Sequence, residues 1–274
     1  MPSILDQIVS ETRARLAEGM APLRRAELET MAGRHNPRGF RKRLFEAANH
    51  GPAIIAELKK ASPSRGLIRE HFSVADLATE MERAGAAALS VLTESKHFQG
   101  SLENLSVASQ RVSIPCLRKD FIIDELQLLE ARAYGADAAL LIVAALTDSE
   151  MKHLAEAARR TELDVLCEVH DEAELRRALD CGFETIGVNN RDLRTFEVTI
   201  ETSIRLNASI PLGVLRVAES GIHSGADIAR LRSIGYQAFL VGESLMKQPS
   251  PGDALRKLLA EASSREPKQE AATQ

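Results

Sequence analysis

The chain has 274 residues, 44% of them hydrophobic and 27% charged, with a formal net charge of −4. Such a composition supports a sizeable folded core and lacks the basic character of a general nucleic-acid binder. Cys116, Cys167 and Cys181 form no C-x-x-C pair, which excludes an obvious disulfide framework or zinc site and leads us to expect a reducing, cytoplasmic location.

Residues 1–50 read as a helical extension. Ile4, Leu5, Ile8, Val9 and Leu16 repeat at helical spacing, with Ser3 placed as an N-cap. Asp6, Glu11 and Glu18 interrupt what a targeting segment would keep free of acids. Helical pieces continue through AELETMAG and RKRLFEAA, with breaks at Pro22 and HNPRG. The extension is expected to pack on the main body, with part of it near the functional site. No apolar run approaches the ~20 residues of a membrane span, so no membrane partner is expected.

From Pro52 the rhythm changes. Apolar runs occur at 53–60, 87–93, 114–120, 136–144, 164–169, 185–190, 214–220 and 238–243. Between them lie helical patterns such as SVADLATEMERAG, DELQLLEARAYG and DEAELRRALDCG. Gly85, Gly135, Gly182 and Gly235 stand where helices end. Strands alternating with helices imply βαβ units and a parallel sheet, and eight such units close a (β/α)8 TIM barrel over 51–263. An open doubly wound sheet would usually carry G-x-G-x-x-G, which is absent. Residues 264–274 are polar and read as a disordered tail.

Strands buried on both faces should be almost purely apolar, so charges at their C-terminal ends stand out. Strand one offers Glu57 and Lys59, two apart and therefore on one face. Strand three offers Lys119, strand five Glu168, strand six Asn189 followed by Arg191, and strand seven Glu219. Any one of these could be a structural ion pair; so many at the same end of a barrel point to catalysis. Ser220–Gly221 and Gly242–Glu243 follow strands seven and eight, where barrels often bind phosphate through backbone N–H groups. Glu243 is expected to offer its backbone N–H and turn its carboxylate away. Phe98 and Phe121 lie in or just after strand loops and could wall a flat apolar group, together with Leu140 and Ile142 of strand four. His170 reads as a solvated loop residue. No metal-ligand spacing appears, and neither a metal nor another cofactor is expected.

These residues sit in segments that together resemble the indole-3-glycerol-phosphate synthase family: IAELKKASPSRG (55–66), SVLTESKHFQGS (90–101), LRKDFIIDELQ (117–127), CEVHDEAEL (167–175), IGVNNRDLRTF (186–196), AESGI (218–222) and FLVGESLM (239–246). The resemblance implies a carboxy-lyase of tryptophan biosynthesis acting on a phosphorylated small molecule. It would close the ring of 1-(2-carboxyphenylamino)-1-deoxyribulose 5-phosphate, then release carbon dioxide and water to give indole-3-glycerol phosphate. It further implies Lys119 as general acid for ring closure and Glu168 as acid/base for later steps. Lys59 would hold phosphate and carboxylate charges and act as a candidate dehydration acid. Glu57 and Glu219 would orient the lysines and hold substrate hydroxyls. Asn189 would contact the reacting sugar region, and Arg191 would lie near the anthranilate carboxylate. Gly221, Gly242 and Glu243 would bind phosphate, while Ser62, Pro63, Phe98, Phe121, Leu140, Ile142, Leu193 and Ser220 surround the substrate. The polar 62–66 loop reads as a lid, and the assembly as a monomer or weak homo-oligomer. Three other readings remain at this stage: a phosphoribosyl-compound isomerase, a non-catalytic barrel scaffold, and a Schiff-base aldolase using Lys59 or Lys119.

Overall fold

The computed structural model describes residues 3–18 and 22–264. Eight parallel strands close into a barrel in chain order: β1 Ala53–Leu58, β2 Ala88–Leu92, β3 Cys116–Lys119, β4 Ala138–Ile142, β5 Asp164–Val169, β6 Thr185–Asn189, β7 Leu215–Glu219 and β8 Ala238–Val241. The expected TIM barrel is therefore present. The expected disordered tail lies, beyond Ser264, outside the described residues.

Helices α1 Ile4–Ala17, α2 Pro22–Ala32 and α3 Phe40–Ala48 precede the barrel. Between and after the strands come α4 Val74–Arg83, α5 Leu102–Arg111, α6 Glu125–Ala133, α7 Asp148–Arg160, α8 Glu172–Asp180, α9 Glu201–Asn207, α10 Gly225–Ser233, α11 Glu243–Met246 and α12 Pro251–Ser263. Capping boxes start α6, α7 and α10 from Asp124, Thr147 and Ser224. Gly85, Gly135, Gly182 and Gly235 all have positive φ, as expected of helix-ending glycines.

Period-two geometry builds the barrel interior. Ala53 and Ile55, Leu117, Ala138 and Leu140, Leu166, Leu215 and Val217, and Ala238 and Leu240 form one buried inner cluster. The bottom of this cluster is closed by Phe40 and Leu44 of α3, both fully buried. Each contributes roughly 1.5–3 kcal/mol of apolar burial. One step of two beyond Ile55, Leu117, Leu166 and Val217 stand Glu57, Lys119, Glu168 and Glu219, so strand geometry sends these side chains into the barrel mouth.

The extension is pinned at both ends of the barrel. At the bottom, Asp137 at the foot of β4 accepts from the Arg38 backbone N–H at 2.7 Å and from Arg38 Nη2 at 2.6 Å. It also accepts from the Cys116 N–H at 2.6 Å, and His35 Nε2 lies at 3.2 Å. Asp164, at the foot of β5, accepts from the Arg41 N–H at 2.9 Å. At the top, Glu11 of α1 meets Lys96 at 2.6 Å, and Arg13 meets Glu150 at 2.8 Å.

Burial opposes the Asp137 charge, but His35, Arg38 and the Cys116 N–H outweigh it and hold the carboxyl below its ordinary pKa. A depressed carboxylate contributes stability above its unfolded pKa and loses it as pH falls through the folded value. Asp137→Ala is therefore expected to lower unfolding stability by ~3–5 kcal/mol at neutral pH, because it strands Arg38. Urea denaturation should show this loss shrinking as the pH is taken below the ordinary carboxylate range.

Candidate active site

The polar strand ends converge on one cavity at the C-terminal mouth of the barrel. It is lined by every residue assigned above to the site: Glu57, Lys59, Lys119, Glu168, Asn189, Arg191 and Glu219, the Ser62–Pro63 and Ser220–Gly221 turns, Gly242–Glu243, and the apolar set Phe98, Phe121, Leu140, Ile142 and Leu193. Phe98 and Phe121 face each other with ring centroids 6.1 Å apart, making one aromatic wall.

At the floor, Lys119 Nζ donates to Glu168 Oε2 at 2.8 Å and to Glu219 Oε2 at 3.1 Å. Burial disfavours the Lys119 charge, but Glu168, Glu219 and Glu57 overcome it and raise the ammonium pKa. Burial also opposes the Glu168 charge; Lys119 and His170 outweigh it and hold the carboxyl well below its ordinary range. Glu219 goes the other way. Burial, reinforced by the negative Glu168 and Glu57 and only partly offset by Lys119, pushes its pKa up to about 7. The two carboxylates on one ammonium are thus shifted in opposite directions, Glu168 toward its ionised form and Glu219 toward its protonated one. Beside them Lys59 donates to Glu57 Oε2.

Glycine makes the room for this cluster. A Cβ at Gly187 would overlap Glu219 Oε1 and come within 3.1 Å of Leu166 Cδ1. A Cβ at Gly242 would overlap Glu57 Oε2 and lie 2.9 Å from the Glu57 Cβ. Gly242 therefore supports the carboxylate layer as well as lying in the expected phosphate loop. Ser220 and Gly221 have successive positive φ values of 64° and 73°, and a Cβ at Gly221 would meet Val198 at 2.8 Å. Asn190 braces this turn by donating from Nδ2 to the Ser220 carbonyl at 3.1 Å, while its Oδ1 accepts from Ser203. Among the described residues, the buried Ser62 Oγ and Glu219 Oε1 have no hydrogen-bond partner and are left to a ligand.

One expectation needs correction. His170 is not a solvated loop side chain: only 12% exposed, it lies with Nδ1 3.0 Å from Glu174 and Nε2 3.4 Å from Glu168. The fold turns it inward because α8 begins beside the end of β5 and brings Glu174 back over it. The Glu243 carboxylate meets Lys247 at 2.5 Å, Arg65 at 3.2 Å and Arg191 at 3.9 Å.

Several lining residues escaped the sequence reading. Ile4, Leu5 and Ile8 of α1 reach the cavity, as do Arg65, Phe196 and Val198. The helical repeat of Ile4, Leu5 and Ile8 was visible, but not its destination. The 62–66 loop is part of a small antiparallel hairpin pairing Ala61 with Leu67 and Ser62 with Gly66. No group of three or more His, Cys, Asp or Glu among the described residues is placed to hold a metal ion.

The family model described as indole-3-glycerol phosphate synthase matches residues 5–258. The chain belongs to the indole-3-glycerol phosphate synthase family. The indole-3-glycerol phosphate synthase of Koribacter versatilis (strain Ellin345) is 61% identical over 259 residues, covering 94% of this chain and all of that protein. The enzyme of that name from Aromatoleum aromaticum is 47% identical over 262 residues, covering 94% and 99%. Among solved structures, the 3-hexulose-6-phosphate synthase of Salmonella typhimurium superposes with a TM-score of 0.63 at 12% identity, over 78% of this chain and all of that one. That likeness speaks for the barrel alone. The chain is thus a decarboxylating lyase of tryptophan biosynthesis acting on a phosphorylated small molecule, and the isomerase, scaffold and aldolase readings give way. No described helix is long and apolar enough to cross a membrane.

Gly187→Ala is expected to leave the barrel folded, at an overpacking cost of ~1–3 kcal/mol, while displacing the Glu219 carboxylate. Turnover should fall about 10²-fold. A variant with undiminished kcat would show that the position of Glu219 is immaterial.

Proposed function

We propose that the residues at the barrel mouth divide the family reaction, conversion of 1-(2-carboxyphenylamino)-1-deoxyribulose 5-phosphate to indole-3-glycerol phosphate, as follows. Lys119 is the general acid of ring closure. The anthranilate carbon that bears the carboxylate attacks the ribulose carbonyl, and the ammonium protonates the oxygen as charge develops on it. The observation that carries this reading is the single Lys119 ammonium held between two carboxylates at the cavity floor. Those carboxylates keep its proton in place until substrate arrives. A substrate hydroxyl that takes over Glu219 loosens the clamp and frees the ammonium to face the carbonyl.

Glu168 serves the later proton transfers. Lys59 holds anionic substrate groups and supplies the dehydration proton, with Glu57 orienting it. Asn189, whose Oδ1 accepts from the Arg191 N–H at 3.1 Å, contacts the reacting sugar, and Arg191 faces the anthranilate carboxylate. The backbone at Gly221, Gly242 and Glu243 receives the phosphate, next to Lys59. Ser62, Pro63, Leu140, Ile142, Leu193, Ser220 and the Phe98–Phe121 wall hold the ring against the sugar in attack geometry. The hairpin at 62–66 acts as a lid, tied to the mouth through Arg65 and Glu243. The chain is divided into a helical extension (1–50), a catalytic barrel (51–263) and a polar tail (264–274). It works in the cytoplasm, as a monomer or weak homo-oligomer, without nucleic acid. The mild acidity and the free, unpaired cysteines favour that setting.

Supplied with the carboxyphenylamino-deoxyribulose phosphate, the purified protein should form an indole product that fluorescence follows. Lys119→Met is expected to reduce kcat by ~10²–10⁴. If that variant turns over at the wild-type rate, the acid of ring closure is Lys59 instead.

A further inference from the structure

Glu168 has a basic group beside each of its oxygens, one hydrogen-bonded to it and the other, whose ring nitrogen has no hydrogen-bond partner, within ion-pair distance. Lys119 approaches Oε2 at 2.8 Å, and His170 Nε2 lies 3.4 Å from Oε1. His170 is itself fixed from behind. Its Nδ1 lies 3.0 Å from Glu174 Oε2, and its backbone N–H donates to the same oxygen at 2.8 Å. Glu174 is in the first turn of α8, whose N-cap Asp171 accepts from the Glu174 N–H at 2.9 Å. The result is an alternating row, Lys119–Glu168–His170–Glu174, running from the cavity floor to the helix. Neighbouring strands add no charge beside Glu168: Ile142 of β4 and Gly187 of β6 are its register partners. Across the barrel, Glu219 and Glu57 act on the row through Lys119. On α8, Arg177 is engaged by Asp148 and by the Val143 and Leu146 carbonyls, away from the row.

We infer that His170 is a positioning residue for the reaction: backed by Glu174, its imidazolium clamps the outer oxygen of Glu168 so that the inner oxygen stays aimed at Lys119 and the cavity. The inference rests on the reading of Glu168 as the acid/base of the later steps. Burial opposes the imidazolium charge, but Glu168 and Glu174 overcome it and push its pKa up to about 10, so His170 is a cation throughout the neutral range. An adjacent cation favours the ionised carboxylate; without it the Glu168 pKa rises and the base form is lost at a higher pH. The acid limb of the rate profile must therefore move upward.

The test is the pH dependence of kcat and KM for wild type, His170→Gln, His170→Ala and Glu174→Gln. His170→Gln keeps an amide donor near Glu168 but removes the charge. Its acid limb is expected to rise by ~1–3 pH units with KM unchanged. Below the inflection each unit is a tenfold loss in kcat, recovered on the alkaline plateau. His170→Ala should show the same shift with a lower plateau. Glu174→Gln leaves the imidazole in place and should shift the limb in the same direction by less, which supplies a second reading if a His170 variant folds poorly. A kcat scaled down equally at every pH, with the limb unmoved, would assign His170 a merely structural role and overturn the inference. Glu168→Gln separates the two levels. If it is inactive while the His170 limb does not move, only the clamp is wrong. If it retains wild-type kcat, the role of Glu168 is wrong and the clamp falls with it.

Discussion

An ammonium group deep in an eight-stranded barrel has little water to turn to, so strands across the barrel must neutralise it. Lys119 occupies that position, and much of the mouth is organised around its charge. Glu168 and Glu219 approach it from β5 and β7. Two carboxylates on one ammonium leave an excess of negative charge, which the structure treats unequally. Glu168 gains a second cation in His170, whereas Glu219 has no further cation within ion-pair distance among the described residues and binds its proton far more readily. Carboxylates this deep also need volume, and the barrel supplies it by omitting side chains at Gly187 and Gly242. Charge balance and space are thus solved together, on strands whose ends the closed sheet brings around one cavity.

The two ends of the barrel use ionic groups differently. At the foot, Asp137 and Asp164 accept from the linker and α3, and their interactions join the extension to the sheet. Both carboxylates are engaged by donors, although the Arg41 Nε has no hydrogen-bond partner. At the mouth, buried oxygens of Ser62 and Glu219 are left without a partner. Buried polar groups that find no partner are costly, and these two line the cavity.

Much of this was legible because a parallel barrel imposes a severe pattern. Its strands must be apolar on both faces, so Lys119, Glu168 and Glu219 stand out against their runs, and a step of two from Leu117, Leu166 and Val217 says which way they point. What stayed hidden depends on tertiary return. His170 lies beyond a strand end among acidic residues, where solvent is the ordinary expectation; only the placement of α8 encloses it. Its four-residue spacing from Glu174 was the available signal. The cavity-facing side of α1 shows as a helical repeat, yet the repeat does not say that the helix crosses the mouth. Gly187 looked like an ordinary strand residue, because its importance lies in what Glu219, 32 positions away, requires of it. The cation partners of the Glu243 side chain were not legible because Arg65 and Arg191 come from other loops.

The two-ended attachment of the extension bears on how the chain assembles during synthesis. The first helices leave the ribosome first, but their partners are distant: Lys96 is 85 residues beyond Glu11, Asp137 is 99 beyond Arg38, Asp164 is 123 beyond Arg41 and Glu150 is 137 beyond Arg13. None of these pairs can form until the middle strands have emerged. Phe40 and Leu44 must likewise wait for a barrel floor to cover them. The segment that precedes the barrel is therefore among the last to dock, and until the middle strands emerge it is an amphipathic stretch without its partners. Contacts of such long sequence separation slow folding and prolong the exposure of apolar groups. The segment that straps the finished enzyme together thus stays without its partners in the nascent chain until the barrel has formed.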